Sequence, residues 1–408
     1  IWCSYPFIED FVGCDPETGI MIHLHVHYKM LTGFKRVKHY RIPWEVKILE
    51  SRIIDTETGW PLPTNVDEFI VFLMRMQLKS TLRSYFTNSA VYPNHVVDEY
   101  RYLSNKVKAD QLMERLDNFE VELTEGEIRC LLLGDDYNTI KAIGKKVVSQ
   151  IKHGSRYSFP VTLLVSFYKG AVYWLARRNH RKGKLSVFKK RLNKSGLTVA
   201  FIGIDGSGKS SVTSDIYRWL IPKVDAHSIY LGSGDGKKGG VEKIRTGLRK
   251  KSPVNASNNN SFRLIIRSLF DTLLIIRKAY LIRRSKKISC EGSVVIMDRF
   301  PQNQFFGIND GPKIPKLKTL FLFRAIESYC FRVIEKYKPD VVIRLSIDFD
   351  TSMSRKPDHN PDIIKEKVKI INKINFDNIV DVDAKQDLNE VILDTKSLLW
   401  SMIKSTND

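Results

Sequence analysis

Residues 197–220 read LTVAFIGIDGSGKSSVTSDIYRWL, and their types and spacing suit the handling of phosphate. Gly203, Gly206, Gly208, Lys209 and Ser210 match G-x-x-x-x-G-K-[ST]. Glycines let backbone N–H groups close around phosphate oxygens where a Cβ would clash, and the helix that follows adds its own unpaired N–H groups. In such a loop the lysine reaches the β/γ-phosphates and the serine holds Mg²⁺. The apolar run 197–202 predicts a buried parallel strand, and an amphipathic helix is predicted over 209–220.

Other residues of chemical interest follow apolar runs. Asp298-Arg299-Phe300 ends the run from Val294 to Met297. A carboxylate there can serve Mg²⁺ or an acceptor, and an arginine can grip a phosphate through two parallel hydrogen bonds. Beyond the run PDVVIRLSI come Ser354-Arg355-Lys356-Pro357, then Lys365 and Lys367. Residues 349–369 are expected to form a lid whose cations close over the transferring group, with Arg355 the principal one. Asp205 lies inside the glycine-rich loop and adds negative charge beside bound phosphate. It either faces the acceptor or a metal-bound water, or caps the helix as a turn residue. Asp383-Ala384-Lys385 is placed to lie along a nucleotide base.

These groups must be positioned by alternating strands and helices. Strands are expected at 197–202, 227–231, 294–297, 339–347 and 378–382. Helices are expected at 209–220, 262–284, 319–338 and from the last strand to about 404. The pattern is a doubly wound α/β domain over 196–408, with about five parallel strands. Residues 237–261 run from basic to Asn/Ser-rich and read as a mobile insertion. Residues 1–191 read as a mainly helical α+β domain, with strands at 5–12 and 20–28, a helix from Pro43, and another over 65–79 capped by Asn65. His23, His25 and His27 share one strand face and can chelate zinc. No Cys or carboxylate cluster follows them, which favours a solvated or partner-facing surface. Residues 161–178 are apolar but interrupted by Lys169, with a basic run behind them. A packed helix leading into a solvated linker is favoured there over an anionic lipid contact.

The chain has 408 residues, 43% of them hydrophobic, and a formal net charge of +21. That charge attracts phosphate-rich partners without choosing among them. The five scattered cysteines read as reduced thiols in a cytoplasmic protein. Residue 1 is Ile, and the chain is expected to be a fragment that begins upstream.

FIGIDGSGKSS, VVIMDRF and PDVVIRLSIDFDTSMSRK, in that order, resemble the thymidylate kinases over about residues 197–404. The resemblance implies a P-loop α/β fold that uses ATP and Mg²⁺ to phosphorylate dTMP. It implies that Gly203, Asp205, Gly206, Ser207, Gly208, Lys209, Ser210 and Ser211 bind ATP, with Asp383 and Ala384 on the adenine side. It makes Lys209, Asp298, Arg299 and Arg355 the catalytic set, with Ser210 and Asp298 at the metal. Two departures concern the acceptor. The Arg-Glu-Pro-Gly-Gly loop of that family is replaced by YLGSGDGKKGG, in which Gly232, Gly234 and Gly236 suit a different anion nest. Residues 301–315 also differ and shape another acceptor pocket. Residues 1–191 faintly resemble nucleotidyltransferase-like domains, but histidines stand where a carboxylate is needed, so no nucleotidyl transfer is expected.

The sequence therefore points to an ATP-dependent phosphotransferase acting on dTMP or another phosphorylated or hydroxyl acceptor. The alternative is a P-loop switch or adaptor whose basic first half docks on membrane or nucleic acid. Nucleotide and a small phosphorylated acceptor are the expected partners of the first reading. Peripheral contact with an anionic membrane and a homodimer are compatible with it, and nucleic acid is not expected.

Overall fold

The computed structural model describes residues 7–34, 37–78, 92–134, 136–151, 154–181, 190–232 and 260–407. The chain forms two units, one of residues 1–2, 12–23 and 189–408, the other of residues 3–11 and 24–188.

In the described residues before 182, strands are short. β1 (Ile8–Cys14) pairs with β2 (Met21–His27), β3 (Met30–Thr32) with β4 (Tyr40–Ile42), and, after helix α1 (Glu45–Glu50), β5 (Ile53–Ile54) with β6 (Pro61–Leu62). Helices α2 (Asn65–Leu78), α3 (Asn94–Ser104), α4 (Ala109–Asn118), α5 (Glu125–Leu133), α6 (Tyr137–Gln150) and α7 (Phe159–Arg181) follow. Their core gathers Trp44, Phe69, Phe72, Met74, Tyr100, Leu112 and Ile128. Trp44 stacks on Phe119 with centroids 4.4 Å apart.

One buried ion pair ties this core together. Asp67, fully buried, accepts from Arg115 Nε at 2.6 Å and Nη2 at 3.0 Å, from Ser51 Oγ at 2.6 Å and from Thr64 Oγ1 at 2.9 Å. Thr64 also accepts from the Asp67 N–H at 3.1 Å, so Thr64 rather than Asn65 caps α2.

In β2, Ile22, Leu24 and Val26 are exposed, whereas Met21 and His23 on the other side are half-buried. Two expectations change here. A carboxylate does stand near the histidines, because strand pairing brings Asp10 to an ion pair with His25. And α7 is not packed: among its described side chains only Thr162 is buried.

In the other unit, five parallel strands lie in the order β11-β10-β7-β9-β8. They are β7 (Thr198–Ile202), β8 (Ala226–Tyr230), β9 (Val294–Asp298), β10 (Val341–Ser346) and β11 (Ile379–Asp383). Every residue of β7 and β9 is buried, as a parallel sheet covered on both faces requires. The helices are α8 (Lys209–Leu220), α9 (Asn260–Cys290), α10 (Phe321–Lys336), α11 (Phe349–Arg355), α12 (Pro361–Ile371) and α13 (Leu388–Asn407). α9 is longer at both ends than expected. Residues 349–369, where a lid is expected, form the helix pair α11 and α12. The proposed insertion lies almost wholly outside the described residues, as do Gly234 and Gly236.

At the N-terminal rim of the sheet, Asp340 accepts from the Thr198 N–H at 2.8 Å and from its hydroxyl at 2.6 Å, and pairs with Lys286 of α9. The adjoining strands β7 and β10 are thereby joined on the side away from the glycine-rich loop.

Arg115→Met should destabilise the helical unit by about 3–5 kcal/mol, because it leaves the Asp67 carboxylate buried without its cation. Urea unfolding followed by circular dichroism checks this.

Candidate functional site

The glycine-rich loop joins β7 to α8 at the C-terminal rim of the sheet. Gly206 and Gly208 adopt φ of 88° and 82°, the left-handed region that glycine enters without penalty. A Cβ on Gly203 would stand 2.9 Å from the Leu345 carbonyl oxygen of β10. The loop thus presses against the neighbouring strand and turns its backbone toward the rim.

Lys209, Ser210 and Ser211 open α8. Lys209 is 7% exposed, and its Nζ donates to the carbonyls of Gly203 at 2.8 Å and Ile204 at 2.6 Å. The ammonium lies along the loop itself rather than extended from it. Burial, helped by the Arg299 charge, pushes it down to about 8. Ser207 is buried, and its Oγ has no hydrogen-bond partner among the described residues.

β9 delivers Asp298 and Arg299 to the same rim. Asp298 Oδ2 accepts from Ser210 Oγ at 3.1 Å, while the buried Oδ1 has no hydrogen-bond partner among the described residues. An orphaned carboxylate oxygen beside the serine of a G-x-x-x-x-G-K-S loop is a donor set that fits Mg²⁺. Arg299 has φ of 75°, uncommon for a bulky residue and a strain tolerated mainly at functional sites. The turn separates neighbouring side chains. Phe300 enters the core against Phe376, with centroids 5.5 Å apart, while the Arg299 guanidinium turns to Asp205 at 3.7 Å and Asp310 at 3.5 Å.

The lid helices arrive from β10. Ser352 Oγ donates to the Asp205 carbonyl at 2.8 Å. Arg355 donates to the carbonyls of Ala384 at 2.9 Å, and of Gly206 and Lys385 at 3.4 Å. It therefore ties the phosphate loop to the loop after β11. Asp383 takes a local role there, its carboxylate accepting from the Lys385 N–H at 3.0 Å. Lys367 of α12 donates to Asp205 at 2.5 Å, and His359 stands 3.9 Å from the same carboxylate. Asp205 thus faces across the rim to Arg299, Lys367 and His359 and does not cap α8. Burial alone would push its carboxyl up, but the Lys367 hydrogen bond and the charges of Lys367, Lys209 and Arg299 prevail and hold it below the usual range.

The segment 300–317 supplies residues that the sequence reading missed. Asn309 and Asp310 take successive left-handed conformations, φ 48° and 62°, which these residue types tolerate. Gln302, buried, shapes the segment by donating to the carbonyls of Phe305 at 2.7 Å and Ile308 at 2.8 Å. Asn309 Nδ2 donates to the Lys367 carbonyl at 3.2 Å, so this segment and the lid hold each other. Asp310 pairs with Lys278 of α9 at 2.7 Å, both nearly buried. Burial raises the Asp310 carboxyl, and the nearby Lys278 charge and hydrogen bond outweigh it, giving a lowered value. In sequence, Lys278 passes for one more basic position of a long helix, which is why it carried no signal. A cleft of about 20 Å³ opens between Gly203, Lys209, Arg299, Gln302, Asp310 and Phe376.

The residues proposed from sequence therefore converge at one rim: the loop, Asp298, Arg299, Arg355 and Ala384. Lys356 lies beside Gly206, and the lysine of these two helices that reaches the Asp205 carboxylate is Lys367.

Lys278→Met should cost about 3–5 kcal/mol at neutral pH by leaving buried Asp310 short of a cation. The stabilisation from this carboxylate is complete above the ordinary aspartate range and is lost as pH falls through its lowered value. The gap between wild type and variant in urea midpoint should accordingly narrow below about pH 4.

No known protein-family profile matches the chain. Among curated proteins it is similar to YghR of Escherichia coli strain K12, with 28% identity over 210 residues covering 48% of this chain and 83% of YghR. YghS of the same strain is 29% identical over 210 residues, covering 48% of this chain and 88% of YghS. Both are named as uncharacterised ATP-binding proteins. Among solved structures it is similar to thymidylate kinase from Candida albicans, at 17% identity, 52% of this chain, 94% of that chain and a TM-score of 0.32. At that score the likeness adds nothing to the geometry above. The nucleotidyltransferase-like resemblance of residues 1–191 finds no support in these comparisons. The loop between β7 and α8, the strand order around it and the two sequence likenesses define a P-loop nucleotide-binding fold.

Proposed function

We propose that the chain is an ATP-dependent phosphotransferase that moves the γ-phosphoryl of Mg-ATP onto dTMP or another acceptor. The reading rests on one observation: Asp205, Arg299 and Lys367, from the loop, β9 and the lid, meet beside Lys209. A nucleotide switch needs the loop and the metal donors. It has no need of an arginine and a lysine gathered across the rim from them. The names of YghR and YghS, both ATP-binding proteins, support ATP as the nucleotide.

The backbone from Gly203 to Ser211 would hold the β- and γ-phosphates, with Lys209 swinging from its carbonyls onto their oxygens. Ser210 and Asp298 would hold Mg²⁺, which when bound neutralises charge on the β- and γ-oxygens. Arg299 would grip the acceptor. Arg355 and Lys367 keep the lid against the loop, excluding water from the transferring group. The attacking acceptor oxygen bonds to the γ-phosphorus as the bond to the β–γ bridging oxygen breaks. The cations around Asp205 make it a weak base, which favours attack by a phosphate oxygen over attack by a hydroxyl.

The test is ADP release from Mg-ATP across a panel of nucleoside monophosphates and sugar phosphates. Release should require one class of acceptor. Lys209→Ala should abolish both turnover and most ATP affinity. Arg299→Ala should lower turnover by about a hundredfold or more while ATP affinity stays within a few-fold. Slow, acceptor-independent hydrolysis that Arg299→Ala leaves unchanged would replace this reading with the switch.

The proton on Lys209 gives a further check. Phosphate needs the charged form, and with its value near 8 the free protein carries less of that form above pH 8. ATP affinity should fall by up to about tenfold per pH unit above 8, whereas Lys209→Arg should show no such slope. Equilibrium titration with a fluorescent ATP analogue between pH 7 and 9.5 measures it.

A further inference from the structure

Helix α7 has no part in the phosphate site, yet it is the most unusual surface among the described residues. Its sequence, FPVTLLVSFYKGAVYWLARRNHR, contains no Asp or Glu. Its charged residues are Lys169, Arg177, Arg178 and Arg181, and the last three fall in its final turns. Large apolar side chains stand in solvent along it: Val161 is 42% exposed, Leu164 69%, Phe167 65%, Tyr168 71% and Leu175 49%.

These residues are not scattered. Spacings of three, four and seven place Val161, Leu164, Phe167, Tyr168 and Leu175 within an arc of about 120° on a helix of 3.6 residues per turn. An exposed stripe of that width marks a surface made to be covered. Arg178 occupies the next position along the same arc toward the C-terminus. The helix is not one that spans a bilayer: no helix of the described residues is long and apolar enough. Apolar and aromatic residues along one side, cations at one end and no acidic residue are the composition of a helix lying in the plane of an anionic membrane.

Charge chooses among occupants. A second copy of α7 laid against the first would bring two wholly basic helices together with no carboxylate to offset them. A lipid surface bearing phosphodiester anions offers the complementary charge, in a layer thin enough to admit aromatic side chains beneath it. The wider chain, at +21, adds long-range attraction of the same sign. We propose that α7 is a membrane-docking helix that lies flat on anionic phospholipid, its Leu164–Phe167–Tyr168 face inserted at the acyl boundary and its terminal arginines at the headgroups.

The experiment is co-sedimentation of the full chain with vesicles of phosphatidylcholine mixed with phosphatidylglycerol, and with vesicles of phosphatidylcholine alone. The full chain should partition onto the anionic vesicles and leave the neutral ones largely unbound, and raised salt should weaken the binding. The double variant Leu164→Ser/Phe167→Ser should weaken partition by about tenfold or more, and Arg177→Glu/Arg178→Glu should do the same. Because Leu164 and Phe167 are exposed, the first variant should keep the wild-type melting temperature and its affinity for a fluorescent ATP analogue, which separates lost docking from lost folding. Equal binding to both vesicle types, no binding to either, or anionic binding that survives both double variants would overturn the proposal. So would a wild-type dimer in sedimentation velocity that Leu164→Ser/Phe167→Ser converts to monomer, since a second copy would then be the occupant.

Discussion

Everything at the phosphate rim depends on where one strand sits. β7 lies third among five parallel strands, between β10 and β9; the chain leaves it for β8 at one edge, turns back through β9 and crosses to β10 and β11 on the other side. In a parallel sheet all C-terminal ends share one rim. The glycine-rich loop leaves β7 at that rim, so the turn after β9 and the helices after β10 must arrive beside it. Asp298, Arg299, helices α11 and α12 and the Ala384 turn come together because of strand order, although 86 positions separate Asp298 from Ala384.

Once gathered, these groups hold one another through charge. Asp205 would be a poor choice beside polyphosphate if it stood alone, since it repels what the loop attracts. Lys367 and Arg299 cancel that repulsion and give the carboxylate a second use: it draws the lid and the β9 turn onto the loop. Asp310 does the same for Arg299 from the other side, and Lys278 balances Asp310 from within α9. Alternating charges therefore run from the lid through the site into the helix layer. Each is partly or wholly buried, so each depends on the next.

How much of this could be read from residues alone divides along a physical line. The strands, the loop and the Asp-Arg pair were legible because they are local: an apolar run, a spacing, a dipeptide at a strand end. Residues 349–369 stood out as a density of cations, but their two-helix form and the pairing of Lys367 with Asp205 were not legible, because 162 positions separate those partners. Lys278 and Asp310 were invisible for the same reason. The hairpin was legible only as strands. Alternation in β2 correctly marks a strand, but alternation does not say which side is covered, and here the apolar side faces solvent while Asp10 meets a histidine. α7 reads as core by composition. Only its surroundings show that nothing in the described structure covers its stripe.

The two ends of the sheet are built to opposite specifications. At one, Asp340 takes both donors of Thr198 and the ammonium of Lys286, stitching two strands and a helix at a single carboxylate. At the other, the joints between loop, turn and helix pair are side-chain contacts that an arriving polyanion can outcompete. With one margin fastened and the other laced, any opening that admits a ligand falls to the laced margin and leaves the strands in register.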